Sequence, residues 1–174
     1  MIKIYTGPMF SGKSTALLIN YNIIKGNKIC FKPSKDKRDK NQIKARNVSQ
    51  KIDSIVIKKF EDILEHITEE TEYILIDEVQ FIEGDYNILT DLSLKGINII
   101  MAGLKQKSDL KPFNNMGNII CLADEIIVLE AVCEDCGDAA QYTYRLDKNN
   151  KADLLIGDKE KYIPLCIECY RNRI

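Results

Sequence analysis

An α/β fold with a mostly parallel sheet is predicted by three observations. A phosphate-binding loop sits between a strand and a helix at the N-terminus. Apolar runs then alternate with amphipathic stretches through the middle of the chain. The tail drops that alternation and carries paired cysteines, which read as a small separate lobe. The expected division is a core over 1–130 and a metal-binding lobe over 131–174. At 174 residues and 45% hydrophobic, the chain can bury such a core.

The first anchor is Gly7-Pro8-Met9-Phe10-Ser11-Gly12-Lys13-Ser14-Thr15, which fits G-x-x-x-x-G-K-[ST]. Gly7 and Gly12 let the backbone curl so that successive N–H groups face phosphate oxygens. Lys13 supplies a point charge for the β- and γ-phosphates, and the Ser14 hydroxyl suits Mg²⁺. Ile2-Lys3-Ile4-Tyr5 alternates like a strand. Ser14 to Ile24 reads as a helix with Leu17, Leu18, Tyr21 and Ile24 on one stripe.

Lys28 to Lys32 reads as a second strand ended by Pro33. From Lys35 to Lys51 the chain is rich in Lys and Arg with little apolar periodicity, which predicts a solvated loop. Such a loop could also close over nucleotide phosphates, with Asp36 helping to hold a metal shell. Ile55 to Ile57 is a short strand. Phe60 to Ile67 fits an amphipathic helix burying Phe60, Ile63, Leu64 and Ile67, with His66 at the surface.

Tyr73-Ile74-Leu75-Ile76-Asp77-Glu78 is the second anchor. A continuous apolar run predicts a strand buried on both faces, and its polar end is where open α/β sheets bind ligands. Downstream of a P-loop, Asp77 is placed to hold Mg²⁺, directly or through water. Glu78 is placed to orient a water or to take a proton from an acceptor hydroxyl. Gly84 to Lys95 reads as a helix, Ile97 to Ala102 as a buried strand, Gly103 to Phe113 as a loop and Glu125 to Leu129 as a strand.

Cys133-x-x-Cys136 and Cys166-x-x-Cys169 offer four thiolates for a tetrahedral zinc site. The 29 residues between the pairs exceed the commonest zinc-ribbon spacing. Four thiolates leave no open position, so such a zinc is structural. Cys30 and Cys121 lie in apolar strand-like runs and read as small core residues.

Composition excludes some classes. A net charge of −1 gives no reason to expect nucleic acid or an anionic membrane as the main partner. No apolar run reaches the ~18 residues needed to cross a bilayer. No secretion signal is recognisable, and the cytoplasm is the expected compartment, with reduced thiols.

The residues now resemble a family, the small zinc-containing thymidine kinases of animal cytosol and many bacteria. The resemblance runs over nearly the whole chain. It is carried by the P-loop and its flanks, by Lys35-Asp36-Lys37-Arg38, by Asp77-Glu78-Val79-Gln80-Phe81, and by Gly103-Leu104 with Pro112-Phe113. The tail adds Cys133 to Cys136 with Ala139, Ala140, Tyr142, Thr143 and Arg145, then Ile156-Gly157, Glu160, Tyr162 and Cys166 to Cys169.

The resemblance implies a RecA-like P-loop domain with a zinc-anchored lobe, whose lasso-like loop, roughly 148–162, crosses the nucleoside. It implies transfer of the γ-phosphate of ATP to the 5′-hydroxyl of thymidine with Mg²⁺. Gly7 to Thr15, with Asp77 and Gln80, would bind ATP, and Ser14, Asp77 and Asp36 would serve the magnesium. Glu78 would be the base. Met9, Gln80, Phe81, Leu104, Ser108, Phe113, Thr143, Leu154, Leu155, Ile156, Gly157 and Tyr162 would form the nucleoside site. A homotetramer inhibited by dTTP is implied as well.

The chain departs from the family pattern at Lys105, Ser108 and Asp158, and at Ala45-Arg46. These positions bear on base recognition rather than on phosphoryl transfer. Two readings therefore stay open. One is a deoxynucleoside kinase, for thymidine or another nucleoside. The other is a P-loop ATPase or regulatory nucleotide-binding protein that has lost nucleoside phosphorylation. A nucleic-acid-binding zinc ribbon is disfavoured by charge.

Overall fold

A computed structural model describes residues 1–36, 41–45, 50–113, 115–147 and 160–174. In chain order the elements are β1 (Ile2–Thr6), α1 (Lys13–Ile23), β2 (Lys28–Pro33), β3 (Gln42–Lys44), β4 (Lys51–Asp53), β5 (Ile55–Ile57) and β6 (Tyr73–Ile76). There follow α2 (Asn87–Leu94), β7 (Asn98–Gly103), α3 (Met116–Leu122), β8 (Glu125–Val128), β9 (Ala131–Val132), β10 (Ala139–Ala140), β11 (Tyr142–Arg145), β12 (Tyr162–Leu165) and α4 (Ile167–Arg171). Short 3₁₀ turns cover Phe60–Glu65 and Val79–Phe81.

Six strands form one sheet in the order β5-β2-β6-β7-β1-β8. Every pairing in it is parallel. The strand side chains alternate between two apolar layers, as period-two geometry requires. Ile4, Ile74, Ile76, Ile99 and Met101 pack on one face with Leu89, Leu92, Met116 and Ile119 of α2 and α3. Tyr5, Leu75, Ile100 and Ala102 pack on the other with Leu17 and Leu18 of α1. Burying each Leu or Ile contributes roughly 1.5–3 kcal/mol relative to exposure, so both faces of the sheet drive folding.

The parallel register brings the strand C-termini to one edge. Thr6 lies opposite Gly103, and Ile76 opposite Met101. The P-loop, Asp77-Glu78 and the loop from Gly103 all leave from that edge, where open α/β sheets place ligands.

Four local expectations are corrected. The stretch at 60–67 is a 3₁₀ turn ending at Glu65, with Leu64 49% exposed rather than buried. The Asp62 carboxylate accepts from the N–H groups of Lys59 and Lys58, which holds its carboxyl below the usual range and fixes the turn's start. The helix expected from Gly84 begins only at Asn87, because Gly84 sits at φ +87° and Asp85 accepts from the Asn87 N–H. The basic stretch is not all loop: β3 and β4 pair antiparallel and bury Ile43 and Ile52 beside α1. Cys121 is exposed on α3 rather than buried in a strand. Cys30 is buried as expected, and desolvation pushes its thiol up to about 12.

The tail forms two small antiparallel hairpins, β9–β10 and β11–β12, closed by α4. Its own apolar cluster is modest: Ala131, Cys133, Ala140, Tyr144, Leu165 and Tyr170. Among the described residues no helix is long and apolar enough to cross a membrane.

Candidate active site

The loop between β1 and α1 is shaped by its two glycines. Gly7 has φ +146°, and a Cβ there would lie 2.2 Å from the Leu129 carbonyl oxygen, so no other residue fits. Gly12 caps α1 in the left-handed region at φ +83°. The Lys13 ammonium bends back to the Pro8 carbonyl and reaches Ser11 Oγ at 3.3 Å, and Ser11 Oγ also donates to Pro8 O. A cation is thus held inside a backbone loop that opens at a helix N-terminus, an arrangement that favours bound phosphate. Thr15 lies in the first turn of α1.

The lobe grips this loop directly. Met9 N–H donates to Thr143 Oγ1 on β11 at 2.9 Å. Phe10, at φ +67°, packs against the lobe's apolar cluster.

At the end of β6, Ser14 Oγ donates to Asp77 Oδ1 at 3.1 Å. The hydroxyl and carboxylate oxygens side by side are the hard ligand type that Mg²⁺ takes. Asp36 is buried and pairs with the Lys32 ammonium at 3.1 Å. Glu78 follows with φ +51°, a left-handed conformation that costs a non-glycine residue on the order of 1–3 kcal/mol. Its carboxylate accepts from Gln80 Nε2 at 2.6 Å. Gln80 Oε1 in turn accepts from Leu104 N–H at 3.0 Å.

Phe81 meets Phe113 edge-on at 5.6 Å between ring centres, and Leu104 packs on the same cluster. Tyr162 is buried on β12 opposite Arg145. Ser108 meets the lobe. Its carbonyl accepts from the Tyr170 hydroxyl at 2.6 Å, and it lines a groove of about 260 Å³ with Tyr144, Arg145 and Asp147. Leu154, Leu155, Ile156, Gly157 and Asp158 lie outside the described residues, as do Lys37, Arg38 and Arg46.

The ligand atoms of Cys133, Cys136, Cys166 and Cys169 all lie within 4.8 Å of one another. The Sγ atoms of Cys136 and Cys166 are 3.7 Å apart. Zn–S bonds of about 2.3 Å in a tetrahedron place sulfurs close to that separation. Burial opposes ionisation of Cys133, but N–H groups of Cys166, Cys136 and Asp135 donate to its sulfur and bring it down to about 6. The Asp138 N–H pulls Cys136 down, yet the Cys133 thiol and burial push it up to about 11. The Cys166 thiol pushes Cys169 up as well. Four sulfurs gathered this closely fit a tetrahedral zinc site.

Sequence reasoning placed Gln80 in the site but gave no sign that its side chain bridges Glu78 and Leu104. The hint available was its spacing, two residues after the acid on a tight turn.

The fold and these loops define a P-loop nucleotide-binding α/β protein with a cysteine-rich lobe. The family model for thymidine kinase matches residues 1–170. The thymidine kinase of Mycoplasma mobile is 35% identical over 175 residues, covering 98% of this chain and 86% of that one. The chain belongs to the thymidine kinase family. Among solved structures, the Thermotoga maritima RuvB Holliday junction branch migration motor aligns at TM-score 0.43 and 15% identity, over 74% of this chain and 37% of that one.

Proposed function

We propose that this chain transfers the γ-phosphate of ATP to the 5′-hydroxyl of thymidine, with Glu78 as the general base. Family membership supports the reaction. The observation that carries the residue assignment is the Glu78 carboxylate at the sheet edge, one residue past the Asp77–Ser14 pair.

In the proposed mechanism the P-loop N–H groups and Lys13 hold the β- and γ-phosphates. Ser14 and Asp77, with Asp36, would hold Mg²⁺, which would neutralise charge on the phosphate oxygens. Glu78 takes the 5′-hydroxyl proton as that oxygen bonds to the γ-phosphorus. The bond from γ-phosphorus to the bridging oxygen breaks, and ADP leaves. The apolar wall of Phe81, Leu104 and Phe113 suits a nucleoside, with Met9 from the P-loop and Thr143 and Tyr162 from the lobe completing the proposed site. The four cysteines would hold a structural zinc, which would order the lobe.

Family resemblance also supports a cytoplasmic homotetramer with feedback by dTTP. Edge strand β8 exposes Ile126 at 47% and Val128 at 52%, an apolar strip that suits a second copy. The decisive experiment is ATP-dependent phosphorylation across a panel of nucleosides. Thymidine should give the highest kcat/KM; nucleoside-independent ADP release alone would instead point to a plain ATPase.

A further inference from the structure

We propose that Gln80 is a positioning residue that aims the Glu78 carboxylate and ties its aim to the loop beginning at Gly103. The inference rests on Glu78 being the base. Gln80 is buried, so its amide has little access to water. Both of its ends are fixed by neighbours that allow one orientation only. The Leu104 N–H can only donate, so it faces Oε1, and an ionised Glu78 can only accept, so it faces Nε2. The amide therefore works as a strut between the acid and the backbone of the loop at Leu104.

The surroundings are built around that strut. The left-handed turn at Glu78 starts the 3₁₀ turn that brings Gln80 back beneath the acid. Gly103 backs directly onto the strut: a Cβ there would lie 2.8 Å from Gln80 Oε1 and 2.8 Å from Val79 Cγ1, so it would push the amide. The strut to β7's end biases the carboxylate toward one aim. Movement of the loop at 103–104 would be passed to the acid through the Gln80 side chain.

The test compares Gln80→Met in two backgrounds. In the otherwise native enzyme, kcat for thymidine should fall about 10- to 100-fold, the scale of a small misplacement of a reacting group. KM for ATP should stay within about twofold, as an effect on the acid alone requires. In the Glu78→Gln background, measured by single turnover, the same substitution should cost less than about threefold, because its target is gone. Thermal melting verifies that each protein is folded. If Gln80→Met does not fold, Gly103→Ala, which displaces the amide from the other side, carries the same comparison. A full loss in both backgrounds, or a rise in KM for ATP with kcat unchanged, would overturn the inference alone. Near-normal turnover by Glu78→Gln itself would overturn both it and the base assignment.

Discussion

The sheet and the C-terminal lobe solve the problem of staying folded differently. The sheet buries two apolar layers, one on each face. Among the described residues the lobe has two-residue and four-residue strands and six buried residues in its cluster. So small a core rarely holds by itself, and a structural metal is a common remedy. Yet the lobe supplies Thr143 to the P-loop and Tyr170 to the loop at Ser108. The region with the smaller core therefore shapes the site of the region with the larger one.

Metal removal should break the comparison most sharply. Structural zinc contributes an apparent ~10–16 kcal/mol in small domains at neutral pH. Chelation, or Cys133→Ser, should strip hydrogen-exchange protection from β9 to β12 and leave β1, β6 and β7 protected. Fresh reduced protein should contain one zinc per chain by metal analysis. Zinc-free protein with an intact lobe would remove the contrast.

Next comes the chemistry at the sheet edge. Glu78→Gln should lower turnover by roughly two to four orders of magnitude, as for loss of a general base. ATP affinity by calorimetry should change little, since the P-loop is untouched.

A defect in the sheet should be smaller and of another kind. Leu75 is fully buried on β6. Leu75→Ala should lower global stability by about 2–5 kcal/mol through lost burial and a residual cavity, read by denaturant midpoint. Unlike chelation, it should weaken sheet and lobe together.

The smallest effect concerns Ser108. If the loop from Gly103 to Phe113 lies over the nucleobase, Ser108→Phe should lower KM for thymidine about ten-fold or more by stacking, with kcat little changed. The Tyr170 bond to its carbonyl bears on this, because it holds the backbone and leaves the side chain free to be exchanged. A raised KM would move the loop's role away from the base.

Much of this was legible in short-range patterns. The P-loop, Asp77-Glu78 and the paired cysteines are spacing motifs whose geometry is local, and the apolar runs at β6 and β7 carry the sheet. What stayed hidden depends on partners far along the chain. The β3–β4 hairpin is masked by lysines, since Ile43 and Ile52 each stand as a lone apolar residue until they meet α1. Met116 to Leu122 is too short for periodicity to separate helix from strand, so Cys121 reads as buried although it is not. The 3₁₀ turn at Phe60 is set by one carboxylate, Asp62, rather than by any stripe. The Gln80 strut has no sequence signature beyond its spacing from Glu78.

The bond from Met9 N–H to Thr143 joins residues 134 apart. A ribosome adding roughly 5–20 residues per second exposes the P-loop on the order of ten seconds before its anchor exists. Throughout that interval the nascent loop has its glycines, its lysine and the start of its helix, but not the hydroxyl that fixes Met9. The nucleotide site is thus begun well before it is finished. A chain halted before β11 would carry the whole phosphate-binding motif without the contact that sets its final shape.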